Sequence, residues 1–154
     1  SINKIIEIKK LAGENLRSAL ISKKSSQIAP EKKIREALIK LQREYVDQFL
    51  ISHDGVVIDG RDIGTIVFPN AECKFFLSAK VEVRAKRRYL EQLKQGINQT
   101  YKMVLDNIIM RDSLDTKRVN SPLKKAVDAI EIDVSNMTLD DVYEKLLTHI
   151  KNIK

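Results

Sequence analysis

The sequence predicts a three-layer α/β domain built on a parallel sheet. Short apolar runs at residues 56–58, 73–77 and 129–133 have the length and the β-branched or aromatic character of strands buried on both faces. Stretches of helical period stand before, between and after these runs, the order that a parallel sheet with helical crossovers requires. In such sheets ligands bind beyond the carboxyl ends of the strands. The first run leads directly into Gly60-Arg61-Asp62, so Arg61 and Asp62 are candidates from position alone.

Each element follows from local pattern. Ile2, Ile5, Ile6, Ile8 and Leu11 recur at near-helical spacing, and Gly13 ends that helix. Residues 15–30 read as loop and short helix, with a polar stretch at 22–26. Pro30 suits the first turn of the next helix. Ile34, Leu38, Leu41, Tyr45 and Phe49 then repeat every three or four residues, giving a helix over 31–50 that Gly55 breaks. After the first strand, Ile66, Val67 and Phe68 precede Pro69, and the second strand follows. Residues 81–95 form a basic helix carrying Arg84, Lys86, Arg87, Arg88 and Lys94, closed by Gly96. A helix over 101–114 turns Met103, Val104, Ile108 and Ile109 inward, and a charged loop covers 111–125. The third strand is 129–133. Thr138 caps the last helix, Asp140 and Asp141 occupy its first turn, and Val142, Leu146 and Ile150 form its apolar face. No internal repeat is present.

The bulk numbers bound the function. A chain of 154 residues suits one domain. It is 43% hydrophobic and 32% charged, with no run long enough to span a membrane and no signal or transit pattern. One cysteine, Cys73, precludes an internal disulfide and fits a reducing cytoplasm. His53 and His149 are far apart, with no Cys/His cluster to suggest zinc. The net charge of +7 points to an anionic partner (nucleic acid, an acidic membrane or a phosphorylated small molecule) or to a lysine-rich solvated surface. The arginines discriminate better than the lysines, because guanidinium grips phosphate in a bidentate way.

Four constellations could carry chemistry. In Gly60-Arg61-Asp62 the glycine permits a tight turn, Arg61 aims a cation at a phosphate, and Asp62 accepts hydrogen bonds from an exocyclic amine or orients an arginine. The plain alternative is a turn with a surface ion pair. Arg111, Asp115 and Arg118, spaced four and three apart, share one face at a helix end. Two guanidinium groups there can clamp a phosphate while the carboxylate holds a sugar hydroxyl, or all three can form a solvated ion-pair ladder. Arg84, Arg87 and Arg88 suit a mobile lid over a polyphosphate, a nucleic-acid patch or a solvated face, with only Tyr89 nearby for base stacking. Ser26 and Arg35, nine residues apart, read locally as a loop serine and a surface arginine. Cys73, at the head of an apolar strand, reads as core.

Taken in order, these segments resemble the bacterial cytidylate kinases. The resemblance runs through VVIDGRDIGTIVFPNAECKFFLSAKVEVRAKRRYLEQLKQG, through IIMRDSLDTKRVNSPLKKAVDAIEID, and more loosely through SSQIAPEKKIREAL. It covers residues 14–150, and the joint occurrence of three ordered motifs makes it specific. It implies a P-loop nucleoside monophosphate kinase fold in which the γ-phosphate of ATP passes to CMP or dCMP with Mg2+. It further implies that Ser26, Arg35 and Asp62 read the cytosine, Arg61 and Arg118 hold the monophosphate, and Arg111 and Asp115 hold the sugar. Arg87, with Arg84 and Arg88, would be lid arginines meeting the ATP phosphates. Such transfer depends on positioning and charge neutralisation, with no covalent nucleophile.

One feature of the family pattern is not in the sequence. Gly13, Gly55, Gly60, Gly64 and Gly96 are the only glycines, and none opens a G-x-x-x-x-G-K-[ST] phosphate-binding loop. The expectation is therefore a kinase domain lacking the first strand and the P-loop, with upstream sequence removed or not represented in these residues, and no turnover by the 154 residues alone. Within it, residues 1–54 belong to the monophosphate-binding region, 55–80 to the core strands, 81–125 to the lid and 126–154 to the last strand and helix. The expected partners are CMP or dCMP and ATP, without nucleic acid or membrane, for a cytoplasmic monomer. The rival readings are a catalytically inactive CMP-binding module, a nucleic-acid-binding module that uses the basic helix, and a scaffold that binds neither.

Overall fold

In a computed structural model of the chain, the described residues are 28 and 31–152. The predicted helix 2–12, the polar stretch 22–26 and Pro30 lie outside them. The chain divides into two compact units, Ser1–Gln42 and Arg43–Lys154. Helix α1, Lys32–Leu50, forms where the apolar spacing predicts it. In the first unit a Lys32–Glu36 pair at 3.9 Å lies along one face of the helix. Ile34 and Leu38, two residues of that spacing, are exposed.

The second unit contains the sheet. Strands β1, Phe75–Ser78, and β2, Ile130–Asp133, pair in parallel, with Phe75 opposite Ile130 and Ser78 opposite Asp133. Bonds from Ile130 N to the Lys74 carbonyl and from Val134 N to the Ser78 carbonyl extend the ladder at either end. Parallel neighbours need a long crossover. Here it holds helices α2, Val81–Lys94, and α3, Tyr101–Lys117, which pack on each other. Ala85 is fully buried on α2 and Val104 nearly so on α3. Gly96 ends α2 with a positive φ of 74°, and the amide of Ile97 returns to the Gln92 carbonyl at 2.9 Å. Helix α4, Leu139–Lys151, starts in a reciprocal capping box between Thr138 and Asp141. Among the described residues the buried hydrophobic side chains are Val46, Val67, Ala85, Val104 and Ile132.

The expected α/β class with a parallel sheet is observed, and three local expectations are corrected. Residues 56–58 are not a strand. A strand needs a neighbour for its hydrogen bonds, and none pairs with this run among the described residues; Val57 is 94% exposed. Residues 111–117, expected as loop, continue α3, where Arg111 and Asp115 pair one turn apart and Thr116 returns its hydroxyl to the Asp112 carbonyl. On the same helix Met103 and Ile109 are exposed and Val104 is the buried residue. Apolar residues at 103, 104, 105, 108, 109, 110 and 114 run most of the way round α3, so spacing alone could not select the buried stripe.

Candidate functional site

The segment after residue 55 is shaped by Gly60. A Cβ at this position would stand 2.7 Å from Cγ1 of Ile63, so only glycine lets Ile63 fold back over the chain. Asp62 follows and precedes a single π turn, Ile63–Val67. Its carbonyl accepts from Ile66 N at 2.9 Å, Val67 N at 3.2 Å and Thr65 Oγ1 at 3.3 Å. Turns of this kind occur often at functional sites. The Asp62 side chain belongs to a buried residue, 7% exposed, unusual for a carboxylate.

Arg61 leaves this segment toward α3. Its Nε donates to Oδ2 of Asp115 at 3.2 Å, a contact that spans 54 residues of sequence. Arg111 Nε lies 3.9 Å from the same oxygen, and Arg118 Nη1 lies 3.6 Å from Oδ1. Three guanidinium groups thus surround one carboxylate. Arg118 is the most enclosed, with a side chain 10% exposed, and its Nε also donates to the Ser121 carbonyl. Leu123 N returns to the Asp115 carbonyl at 2.8 Å, which folds the following loop back onto the helix end. A helical ion-pair ladder accounts for Arg111 and Asp115 but not for Arg61, which arrives from another part of the chain. The cluster carries a formal excess of two positive charges, and planar forks of this kind match phosphate oxygens.

The arginines expected to form a lid do not converge on one point. Arg84 donates from Nη1 and Nη2 to the two oxygens of Asp112, at 3.2 and 2.7 Å, and from Nε to the Ala79 carbonyl at 3.1 Å. It ties α2 to α3. Arg87 Nη2 donates to the carbonyls of Val134, Met137 and Ser135, at 2.8, 3.0 and 3.4 Å, and so anchors the loop after β2. Arg88 pairs with Glu91 on its own helix at 3.0 Å. Arg35 belongs to the first unit and is partly buried there. Ser26 lies outside the described residues.

Several ordering residues carried no sequence prediction. At the carboxyl end of β2, Asp133 Oδ1 accepts from the hydroxyl and amide of Ser135, at 2.6 and 2.8 Å, and Ser135 Oγ accepts from Lys80 N at 2.9 Å. The Ser135 hydroxyl, then its amide, hold the Asp133 carboxyl below the usual carboxylate range. An Asp-x-Ser sequence at a strand end is a recognisable turn signal. Lys74 bridges the Pro69 carbonyl and Asp128. Its signal is a lysine inside an apolar run. Cys73, expected in the core, is only partly buried, and that partial burial pushes its thiol up. An open apolar hollow of about 410 Å³ lies between α2 and the start of α3, lined by Glu82, Val83, Lys86, Tyr89, Leu90 and Tyr101. None of the candidate arginines lines it. No described helix is long and apolar enough to cross a membrane.

Comparison with known proteins gives consistent matches. A family model described as cytidylate kinase matches residues 3–152. The chain is 47% identical over 141 residues to a cytidylate kinase of Bacillus licheniformis, covering 89% of this chain and 60% of that protein. It is 44% identical over 138 residues to one of Bacillus subtilis, covering 90% and 59%. It is 42% identical over 139 residues to one of Thermosipho melanesiensis, covering 90% and 62%. The chain therefore spans about 60% of the length of these curated relatives.

Proposed function

This chain belongs to the cytidylate kinase family, and on that premise we propose that it carries the acceptor and lid chemistry of an ATP-dependent (d)CMP kinase. The parent reaction moves the γ-phosphate of ATP to CMP or dCMP, giving CDP or dCDP. We place the two-stranded parallel sheet within the three-layer sheet of a P-loop nucleoside monophosphate kinase. Magnesium enters with ATP, as the MgATP substrate.

The convergence of Arg61, Arg111 and Arg118 on Asp115 carries the proposal. In this reading Arg61 and Arg118 hold the monophosphate. Asp115, together with Arg111, holds the sugar hydroxyl. The carboxylate also relieves repulsion among the three cations while no ligand is bound. Asp62, Ser26 and Arg35 read the cytosine, and a buried carboxylate at 62 favours a base that offers it a hydrogen-bond donor. Arg84, Arg87 and Arg88 belong to the donor side. Catalysis is by positioning and by neutralising phosphate charge.

Calorimetry on the 154-residue chain tests the acceptor assignment. CMP is expected to bind in preference to UMP and AMP, and Asp62→Ala removes the preference. Binding of any RNA or DNA with steep salt dependence and indifference to Asp62 would instead identify the nucleic-acid module. A chain that binds none of these ligands would leave only a scaffold role. With no G-x-x-x-x-G-K-[ST] in these 154 residues, the chain by itself is expected to give no CDP from CMP and ATP. Ordinary turnover would refute the assignment of donor chemistry to that motif.

A further inference from the structure

We propose that Arg43 is a positioning residue for Arg61 and Asp62, acting through the π turn that follows them. The proposal rests on the reading of these two residues as part of the acceptor site. The last carbonyls of any helical turn lack donors within the turn. In the turn Ile63–Val67 two of them are supplied by one side chain. Arg43, on α1, donates from Nε to the Val67 carbonyl at 2.8 Å and from Nη2 to the Ile66 carbonyl at 3.0 Å. These contacts span 24 and 23 residues, so they fix the turn against a distant helix rather than against its own neighbours.

A second tether lies along the flank of the turn. The Lys74 stem passes Gly64, its Cδ 3.3 Å from where a Cβ would stand, and its ammonium reaches the Pro69 carbonyl and Asp128. At the opposite end of the turn the Asp62 carbonyl is the focus of three donors. A rigid turn held at both ends leaves Asp62 and Arg61 little freedom. Release of the carbonyl end lets the turn rotate, which displaces Asp62 and lengthens the 3.2 Å contact from Arg61 to Asp115. Misplacement of a binding group by about 1 Å can cost up to two orders of magnitude in function. Both recorded bonds of Arg43 go to main-chain oxygens, so its effect is indirect. Two carbonyls need two donors at fixed separation, which guanidinium provides and an ammonium does not.

The test compares the unaltered 154-residue chain with Arg43→Gln and Arg43→Lys. Amide hydrogen exchange at Ile66, Val67 and Phe68 is expected to quicken by about tenfold in both variants, with β1 and α4 unchanged. CMP affinity should fall by about tenfold, and the preference for CMP over UMP should shrink with it. Added guanidinium ion should restore part of that preference in Arg43→Gln. A general structural role would lower thermal stability and leave the CMP-to-UMP ratio alone. Unchanged exchange at residues 66–68 overturns the inference whether or not CMP binds. An unaltered chain that binds CMP, with variants that keep its affinity and base preference, overturns this inference alone. An unaltered chain that binds no CMP overturns the acceptor-site reading and this one with it.

Discussion

Replacing Asp115 by Asn removes a charge and keeps the shape, so it isolates the electrostatics of the cluster. At separations of 3.2 to 3.9 Å each ion pair has a Coulomb attraction of about 4–5 kcal/mol at an effective dielectric of about 20. Most of this is cancelled by desolvation and by the ordering of side chains. Arg61 and Arg111 are 47% and 57% exposed, so each of those pairs contributes at most about 1 kcal/mol. Arg118 is 10% exposed beside a carboxylate that is 17% exposed, and loss of the opposite charge from this enclosed pair costs about 2–3 kcal/mol. The Asn oxygen still accepts from Arg61 Nε. The sum is a loss of roughly 2–4 kcal/mol, or about 4–16 °C in Tm for a domain of this size. Inorganic phosphate should bind the variant more tightly, because the cluster then holds one negative charge fewer. Its Tm should rise with phosphate more steeply than that of the unaltered chain at matched ionic strength. CMP affinity should move the other way, because the sugar loses its acceptor. Thermal scans with phosphate and calorimetry with CMP read both effects. An unchanged Tm together with an unchanged phosphate response would refute the electrostatic account.

Three further outcomes follow from the geometry. Gly60→Ala should destabilise by about 1–3 kcal/mol in urea unfolding, because its Cβ meets Ile63. The penalty should shrink in an Ile63→Ala background, and a double-mutant cycle with no coupling would contradict that contact. Arg84→Lys should loosen the α2–α3 pair by about 1 kcal/mol, a modest figure because both partners are about one-third exposed. Lysine cannot restore the two-point contact with Asp112, so stability equal to the unaltered chain would show that the fork is unimportant. The carboxyls of Asp133 and Asp141 lie below their usual 3.8, held first by the hydroxyls of Ser135 and Thr138 respectively. Folding therefore favours their ionised forms. Their contribution is complete above pH of about 3.8 and is lost as pH falls through the depressed folded values. Asp141→Asn should flatten the acid limb of a stability–pH curve, and an identical slope would exclude that linkage.

Local chemistry was legible in the sequence wherever a signal and its partner lie within one turn. Thr138 and Asp141 stand three apart and form the expected cap. Gly96 closes α2 where predicted, with the positive φ that glycine tolerates. Arg111, Asp115 and Arg118 share a face because four and three residues are helical spacings. Spacing could not show that Arg61 joins them, since that contact crosses 54 residues; only the family resemblance implied a common ligand. The run 56–58 was misread because apolar, β-branched composition reports a preference for burial and says nothing about the presence of a pairing partner. The π turn was hidden for a related reason. Ile66, Val67 and Phe68 carry no helical signal of their own, and the bonds that shape the turn begin at the Asp62 carbonyl and end at Arg43, well outside any local window.

The net charge of +7 alone could not separate a solvated surface from an anion site, and the arginine partners now weigh on that choice. Arg43 and Arg87 donate to main-chain carbonyls, and Arg84 to a carbonyl and a carboxylate, so the contacts of these three fix backbone and helices. Arg61, Arg111 and Arg118 differ in kind. Arg61 and Arg111, 47% and 57% exposed, converge from two parts of the chain on the one carboxylate of Asp115. Arg118, the most enclosed of the three, also uses the Ser121 carbonyl. A phosphate that arrives there meets exposed guanidinium groups at Arg61 and Arg111, whereas the same phosphate at Arg43 would have to displace backbone bonds. Placement of guanidinium groups, more than their number, therefore favours a small phosphorylated ligand at residues 61, 111, 115 and 118 over a diffuse polyanion along the basic helix.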